Sequence, residues 1–345
     1  MDIIDFHTHV APRWVQESRV QLAQEDPCFG VLYSDPRARI ATLEDLIASM
    51  DEAEVAASVA LNLGWSNQAL CQRTNDYLLE GSAKWPGRIL PFVAVQPAFP
   101  DSAAKELERC VNAGARGIGE LRPDIQGFRL DDAATLRPIV DIATSRHIPV
   151  LTHVSEPVGH VYPGKGSITP EQPYRFAVAF PEATLVCAHW GGGLPFYGLM
   201  PEVKQAMAHV YFDSAASHYL YRNDVFKVIA GSVGADHMLL GSDFPLIRQQ
   251  RAIDEVRRSG LSDQDTSAIL GNNAEALGLR LRALRAHAES RLLVGDLTGA
   301  LDRLRSGRNL ARSGAAGQDF IEASIIDARL RELEARRRAL IAERG

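Results

Sequence analysis

The sequence predicts an α/β fold, specifically a closed (β/α)8 barrel (TIM barrel) with a C-terminal α-helical extension. Three observations lead to this fold class. The chain has 345 residues, of which 46% are hydrophobic and 23% charged, so it can bury a sizeable core. Eight short apolar runs alternate with amphipathic segments over residues 1–279. The remaining residues show helical patterns and no strand pattern.

The eight predicted strands are nearly continuous apolar runs, which is typical of parallel strands buried on both faces. They are Ile3–His7, Ala57–Leu63, Ile89–Pro97, Ala115–Leu121, Ile148–Val154, Thr184–Trp190, Val210–Ala216 and Met238–Phe244. The amphipathic segments between them include Ala41–Glu54, Asp101–Ala113, Asp131–Arg146 and Ser262–Leu277. A doubly wound open sheet is the alternative, but it normally has fewer strands and often a glycine-rich phosphate turn. The number of strand–helix units therefore favours the barrel.

Charge divides the chain near residue 280. The whole chain has a formal charge of −6, whereas the segment from Arg280 onward contains 14 arginines, no lysine and 9 acidic residues. We therefore expect residues 1–280 to form the barrel and residues 281–345 to form the extension. Its predicted helices are Leu281–Leu293, Leu297–Arg312 and Phe320–Ile341. The extension resembles part of a tetratricopeptide-type hairpin, and a helical cap or dimerisation arm is the simpler interpretation.

Composition also excludes several classes of protein. A net negative charge argues against nucleic acid as the main partner. No apolar stretch reaches the about 18 residues of a membrane span, and the acidic N-terminus does not resemble a secretory signal. Four scattered cysteines indicate reduced thiols, and hence a cytoplasmic protein: Cys28, Cys71, Cys110 and Cys187.

Polar side chains stand at the ends of four predicted strands. His7 and His9 end the first strand and, being two residues apart, share one strand face. His153, His189 and Asp243 end the fifth, sixth and eighth strands. Active sites of such barrels form at these carboxyl ends. Imidazole and carboxylate groups together predict a divalent metal, with zinc the best match and manganese, iron or cobalt as alternatives.

The order HxH, His, His, Asp resembles the amidohydrolase superfamily of metal-dependent barrel hydrolases. The segments Ile4–His9 (IDFHTH), Ala188–Gly192 (AHWGG) and Gly241–Pro245 (GSDFP) are similar to its amidohydrolase-related (amidohydrolase 2) branch, and Ile269–Leu279 resembles the closing helix of that branch. The resemblance covers about residues 1–279. This branch contains hydrolases and nonoxidative decarboxylases of aromatic or unsaturated acids.

The resemblance implies which residues bind the metal. The ligands would be His7, His9, His153 and Asp243. His189 would bind a second metal ion, or donate a hydrogen bond to bound water or substrate.

The number of ions depends on the fourth strand. Binuclear members often bridge two ions with a carboxylated lysine at its end, and this chain has Glu120 there instead. TatD-type deoxyribonucleases have a similar bridging glutamate. The alternative is that Glu120 is an ordinary strand-end carboxylate paired with Arg122, so both one ion and two ions remain open.

We expect a metal-dependent hydrolase that cleaves a C–N or C–O bond in an amide, a lactone or another ester. A metal-bound water would attack, Asp243 would act as general base, and His189 would help to stabilise the oxyanion. The first alternative is a nonoxidative decarboxylase of an aromatic or unsaturated acid on the same scaffold. The second is an inactive barrel that binds a partner through its helical tail.

Loops after the strands carry groups suited to a small carboxylated substrate, because cationic side chains near a metal favour an anionic ligand. The candidate substrate-binding residues are Arg13, Trp14, Arg122, His160, Tyr162, Lys165 and Arg248. The expected partner is thus a small molecule, and a homodimer is the default assembly.

Overall fold

In a computed structural model of the chain, eight parallel strands form one sheet in sequence order, β1 to β8. The structure describes residues 2–279, 285, 288, 289, 291–293, 295–312 and 320–342. The strands are β1 Ile3–His9, β2 Val55–Leu61, β3 Ile89–Val93, β4 Gly117–Leu121, β5 Val150–Thr152, β6 Leu185–Cys187, β7 Val210–Asp213 and β8 Met238–Leu239. The predicted (β/α)8 class is confirmed.

The barrel closes between its first and last strands. Phe6 donates its backbone N–H to Leu240 O at 2.7 Å, and His9 donates to Phe244 O at 2.7 Å. Asp243 donates in return to His7 O at 2.9 Å. This closure places Asp243, which follows β8, beside His7 and His9 of β1.

Helices cover the outside of the barrel. They are α1 Arg13–Glu17, α2 Arg19–Glu25, α3 Pro27–Tyr33, α4 Leu43–Glu52, α5 Gln68–Lys84, α6 Pro100–Asn112, α7 Pro123–Gln126, α8 Ala133–Ser145, α9 Glu171–Ala179, α10 Pro201–Ala206, α11 Ser217–Leu220, α12 Val225–Ser232, α13 Gln249–Arg257 and α14 Asp263–Ser267. Short 3₁₀ or π turns run over His189–Leu199, Ala235–His237, Ala268–Asn272 and Glu275–Leu279.

Local sequence explains where several helices begin. Thr42 caps α4 in a reciprocal pair with Asp45, and Ser262 caps α14 by accepting from Asp265 N. The apolar side chains fall into two main layers. One cluster includes Ile4, Phe6 and Phe92, and a larger one packs strands against helices.

Several strands end earlier than the apolar runs predict. Strand β6 ends at Cys187 and β8 at Leu239, because the following residues leave the extended conformation. His189 and Asp243 have positive φ angles of 55° and 63°. A residue in this region cannot continue a strand ladder, so the site residues lie just beyond the regular strands.

Within its described residues, the extension contains two long helices, Leu297–Arg312 and Phe320–Ala342. They pack through a cluster of their own that includes Leu301, Leu304 and Leu330. The predicted helix Leu281–Leu293 lies largely outside the described residues. The division into two domains at residue 280 stays a prediction. In the described part of the chain, no helix is long and apolar enough to cross a membrane.

Candidate metal centre

Strands β1 and β8 contribute one half of the site. The Nε2 atoms of His7 and His9 are 3.0 Å apart. Asp243 Oδ1 lies 3.6 Å from His7 Nε2 and 3.4 Å from His9 Nε2. One donor atom from each of these three residues lies within 4.8 Å of the others. The predicted convergence of the two histidines and the distant aspartate is therefore present.

Strands β4 to β6 contribute the other half. His153 donates Nδ1–H to Glu120 Oε1 at 2.9 Å, and His189 Nε2 lies 3.7 Å from the same oxygen. Glu120 Oε2 is 3.7 Å from His9 Nε2, so this carboxylate joins the two halves. Arg122 does not pair with Glu120, the alternative expected from the sequence. Its Nε lies 3.6 Å from Asp124 Oδ1 instead.

Asp213, at the end of β7, is a functional residue that the sequence reasoning missed. It is fully buried, and its Oδ2 accepts a 2.8 Å hydrogen bond from His7 Nδ1. Its Oδ1 accepts from the backbone N–H of His189 and of Ala215, each at 3.0 Å. His189 Nδ1 donates to Ala215 O at 3.1 Å. In His7 and in His189, Nδ1 is therefore hydrogen-bonded to the protein and Nε2 faces the centre.

A signal for Asp213 was present in the sequence. It ends an apolar run, Val210-Tyr211-Phe212-Asp213, just as Asp243 follows one. Asp5 is a second missed residue of this kind. Its buried carboxylate accepts from the backbone N–H groups of His7 and Ser242, and from Gln249 Nε2. It thereby ties together the two strands that supply His7, His9 and Asp243.

The backbone at His189 makes an unusual left-handed turn. His189, Trp190 and the next three glycines all have positive φ angles. At Gly192 an added Cβ would lie 2.3 Å from Ser155 O, so only glycine fits between this turn and the β5 loop. The turn thus sets where the His189 ring enters the site.

The centre is rich in negative charge. Burial lowers the pKa of His7, but the carboxylates of Asp213, Asp243 and Glu120 outweigh it and raise that pKa to about 10. Burial raises the pKa of Asp243, but the imidazoles of His9, His7 and His189 outweigh it and hold the pKa well below its usual range. A cation is therefore electrostatically favoured at the point where these groups meet.

His153 differs from His7. Burial and the nearby Arg122 guanidinium lower the pKa of His153 to about 4. A neutral imidazole is the form that binds a metal ion. Among the described residues His9 Nδ1 is buried without a hydrogen-bond partner.

These observations fit a divalent metal ion. Imidazoles whose Nε2 atoms face the centre, together with the carboxylates of Asp243 and Glu120, form a donor set suited to manganese, iron, cobalt or zinc. His7, His9, Asp243, Glu120 and His189 supply the donor groups within reach. His153 does not fall in either of the two tightest clusters, and it touches the centre through Glu120.

Of the predicted substrate-binding residues, Arg122 lies deepest. Its side chain is 2% exposed, its Nη2 donates to Gly164 O at 3.1 Å, and its Nε has no hydrogen-bond partner among the described residues. Tyr162 donates its hydroxyl to Glu156 Oε2 at 3.0 Å. Lys165 donates from Nζ to the carbonyls of Val158 and His160, so its ammonium group is hydrogen-bonded within its own loop.

The other candidates lie further out. His160 is exposed and contacts the Tyr162 ring at a centroid distance of 5.4 Å. Trp14 is half-buried beneath the Arg73 guanidinium, 3.6 Å from the ring centroid. Arg13 and Arg248 are exposed.

Comparison with known proteins agrees with this geometry. The sequence profile of the family described as "Amidohydrolase" matches residues 4–277. The chain belongs to this family.

Two of the curated relatives are named γ-resorcylate decarboxylase. The one from Polaromonas sp. is 24% identical over 248 residues, covering 60% of this chain and 75% of the relative. The one from Rhizobium sp. is 23% identical over 250 residues, with the same coverages of 60% and 75%.

Solved structures of the fold cover about four-fifths of this chain. A 5-carboxyvanillate decarboxylase from Sphingomonas paucimobilis superposes with a TM-score of 0.68 at 16% identity, covering 80% of this chain and 98% of that one. A dihydroxybenzoic acid decarboxylase from Polaromonas sp. gives 0.66 at 20% identity, covering 81% and 97%. The second structure contains bound manganese and the inhibitor 2-nitroresorcinol.

Proposed function

We propose that the protein is a metal-dependent, nonoxidative decarboxylase of a hydroxylated aromatic acid. The observation that carries this proposal is the convergence of His7, His9 and Asp243 around one point in a family whose curated relatives here are decarboxylases. Of the activities expected from the sequence, hydrolysis was the first choice and decarboxylation the alternative. The named relatives support the alternative.

A divalent ion held by His7, His9, Asp243 and the neighbouring Glu120 and His189 would supply Lewis-acid binding of the substrate's carboxylate and hydroxyl oxygens. We expect manganese or zinc, since imidazole and carboxylate donors suit both, and manganese occupies the related structure. His153, whose Nδ1 faces Glu120 Oε1 at 2.9 Å, would join this set as a further ligand.

The reaction replaces a carboxyl group by hydrogen. The bond from the ring carbon to the carboxyl carbon breaks, CO₂ leaves, and the electron pair stays on the ring carbon, which takes up one proton. We assign this proton transfer to Asp243, because its carboxylate lies at the centre and is ionised when free. It first accepts a proton from the bound substrate and then delivers it to the ring carbon.

Recognition of the anionic substrate is assigned to Arg122. The buried Arg122 guanidinium lies 3.6 Å from Asp124 Oδ1, but its Nε makes no hydrogen bond among the described residues, so this donor is left for an anionic substrate. Tyr162 and His160 stand on the loop beyond β5 and would contact the ring side of the substrate. Arg13, Trp14, Lys165 and Arg248 keep their proposed substrate roles only as outer contacts, since they are exposed or already engaged.

One observation favours a second candidate, hydrolysis at a two-metal site. Glu120 lies between His9 on one side and His153 and His189 on the other. This is the position from which a carboxylate can bridge two ions, with a water between them as nucleophile and Asp243 as its general base.

Substrate assays separate the two candidates. The manganese-loaded protein is offered a panel of hydroxybenzoic acids with detection of CO₂, and a parallel panel of lactones, esters and amides. The proposal predicts CO₂ release from at least one ortho-hydroxylated acid. Turnover confined to the second panel would replace decarboxylase by hydrolase and leave the metal centre intact.

A further inference from the structure

A carboxylate that the proposed reaction does not use stands at the start of the loop beyond β5. Glu156 Oε2 accepts the Tyr162 hydroxyl at 3.0 Å, whereas Glu156 Oε1 is buried and has no hydrogen-bond partner among the described residues. A buried carboxylate oxygen without a partner is costly. This oxygen therefore marks a place for a hydrogen-bond donor that comes from a ligand.

The turn that carries His189 places Glu156 beside the metal centre. A Cβ added at Gly192 would press against Ser155 O and lie 3.2 Å from Glu156 N. Ser155 Oγ in turn lies 3.1 Å from His153 Nε2. Glu156 thus stands where the loop leaves the centre, on the face of the barrel that the βα loops form.

Aromatic residues from two further loops surround this carboxylate. Tyr221 directly follows α11, and a Cβ added at Gly193 would lie 3.7 Å from its hydroxyl and 3.3 Å from the Phe196 ring. The rings of Phe196 and Tyr221 are 6.0 Å apart. Burial and the Glu156 carboxylate raise the pKa of Tyr162 and of Tyr221 above the usual range of a phenol. Both phenols therefore keep their protons, and the carboxylate lies among aromatic rings and hydroxyl groups.

The same loop also contacts the group assigned to the substrate's carboxylate. Gly164 O accepts from Arg122 Nη2 at 3.1 Å. Arg122 Nε, like Glu156 Oε1, is buried without a hydrogen-bond partner among the described residues. An unpaired donor and an unpaired acceptor are therefore both held by this loop. A ligand that carries an anionic group and a separate hydrogen-bond donor would satisfy both.

We propose that Glu156 determines substrate specificity by accepting a hydrogen bond from a hydroxyl or amino group that is meta or para to the substrate's carboxyl group. The metal ion and Arg122 would bind the carboxylate and the hydroxyl next to it, which leaves Glu156 Oε1 for a donor elsewhere on the ring. This inference rests on the proposed function and adds that 2-hydroxybenzoate alone is an incomplete substrate.

The first test uses nitrophenols as unreactive probes of the Mn²⁺-loaded wild-type protein. A nitro group has the shape of a carboxylate but cannot leave as CO₂, so calorimetry measures binding whether or not the protein is a decarboxylase. 2-Nitrophenol is compared with analogues that carry one further hydroxyl meta or para to the nitro group, and with the methyl ethers of that hydroxyl. A hydrogen bond to a charged group should make at least one of these analogues bind about 10- to 100-fold more tightly. Its methyl ether should lose this gain.

The second test repeats the comparison in variants. Glu156→Ala should bind 2-nitrophenol about as well as the wild type but lose the preference for the further hydroxyl. Glu156→Gln keeps an acceptor without the charge and should retain only part of that preference. Tyr221→Phe keeps the carboxylate and the ring beside Phe196, so its preference should remain. Glu171→Gln is the control for loss of an acidic group, because Glu171 forms an exposed ion pair with Arg175.

Three results would overturn this role of Glu156 alone. They are equal binding of 2-nitrophenol and all its hydroxyl analogues by the wild type, methyl ethers that bind as tightly as the hydroxyl analogues, and an unchanged preference in Glu156→Ala. Equal weakening of every probe in Glu156→Ala would leave that preference unchanged and assign Glu156 to loop structure. The first two results need no variant, so they decide the question even where Glu156→Ala does not fold. A wild-type protein that binds no nitrophenol and releases no CO₂ from any hydroxybenzoic acid would reject the proposed function and this inference together.

Discussion

The two halves of the candidate metal centre are supported in different ways. His7, His9 and Asp243 stand where β1 and β8 close the barrel, and buried hydrogen bonds from Asp5 and Asp213 hold this half. In the other half Glu120 lies within β4, whereas His153 lies just beyond β5 and His189 lies in a turn with positive φ angles. The first half is thus held across the strand closure, and two of the three residues of the second half are held by connecting segments.

This difference has a chemical consequence. Groups fixed by strand closure are preorganised before an ion arrives, whereas groups fixed by turns and loops can adjust. We therefore expect the β1–β8 half to bind the first ion more tightly. The β4–β6 half would set whether a second ion binds and how the substrate is positioned.

The largest effect should follow a change in the first half. Asp243→Asn removes the proton-transfer group and one metal ligand, so turnover should fall by at least about 10²- to 10⁴-fold. Steady-state kinetics on the substrate found in the panel measures this. Asp224→Asn is the control, because Asp224 forms an ion pair with Arg222 at the surface. Full turnover by Asp243→Asn would remove Asp243 from the mechanism.

Glu120→Gln tests the second half. The amide keeps the shape of the carboxylate but loses the charge that faces three imidazoles. If Glu120 bridges two ions, the metal content should fall to one ion per chain while the first remains bound. Metal analysis after dialysis gives the answer, and an unchanged content of one ion would identify a mononuclear site.

Asp213→Asn tests the hydrogen bond that orients His7 in the first half of the centre. Loss of the charge that orients His7 should weaken Mn²⁺ binding by about 10- to 100-fold. Competition with a chelating indicator measures the affinity. An affinity equal to that of the wild type would show that strand geometry alone fixes His7.

The smallest effect concerns stability. Gly192→Ala places a Cβ 2.3 Å from Ser155 O at a φ of 59°, so the free energy of unfolding should fall by about 1–3 kcal/mol. Gly231→Ala is the matched control, because nothing lies within 4 Å of its added Cβ. Alanine in helix α12 should stabilise by up to about 1 kcal/mol. Thermal unfolding compares the two, and equal melting temperatures would contradict the close packing at His189.

The sequence was sufficient to predict the barrel and the groups at its rim, because short apolar runs end in His7, His153 and His189 at the edge where parallel strands present their carboxyl ends. It was not sufficient to predict the role of Asp213. That role depends on which ring nitrogen His7 turns towards the centre, and spacing along the chain does not encode that choice. The two hydrogen bonds from Lys165 to carbonyls of its own loop likewise depend on the folded loop.

The central claim is that a divalent ion binds where β1 and β8 meet. Elemental analysis of protein purified without added metal, compared with a His7→Ala/His9→Ala double variant that still folds by circular dichroism, tests it most directly. The account predicts at least one manganese, zinc or related ion per wild-type chain and loss of that ion in the double variant. A wild-type protein free of transition metal that also fails to bind added Mn²⁺, or a double variant with undiminished metal content, would contradict it.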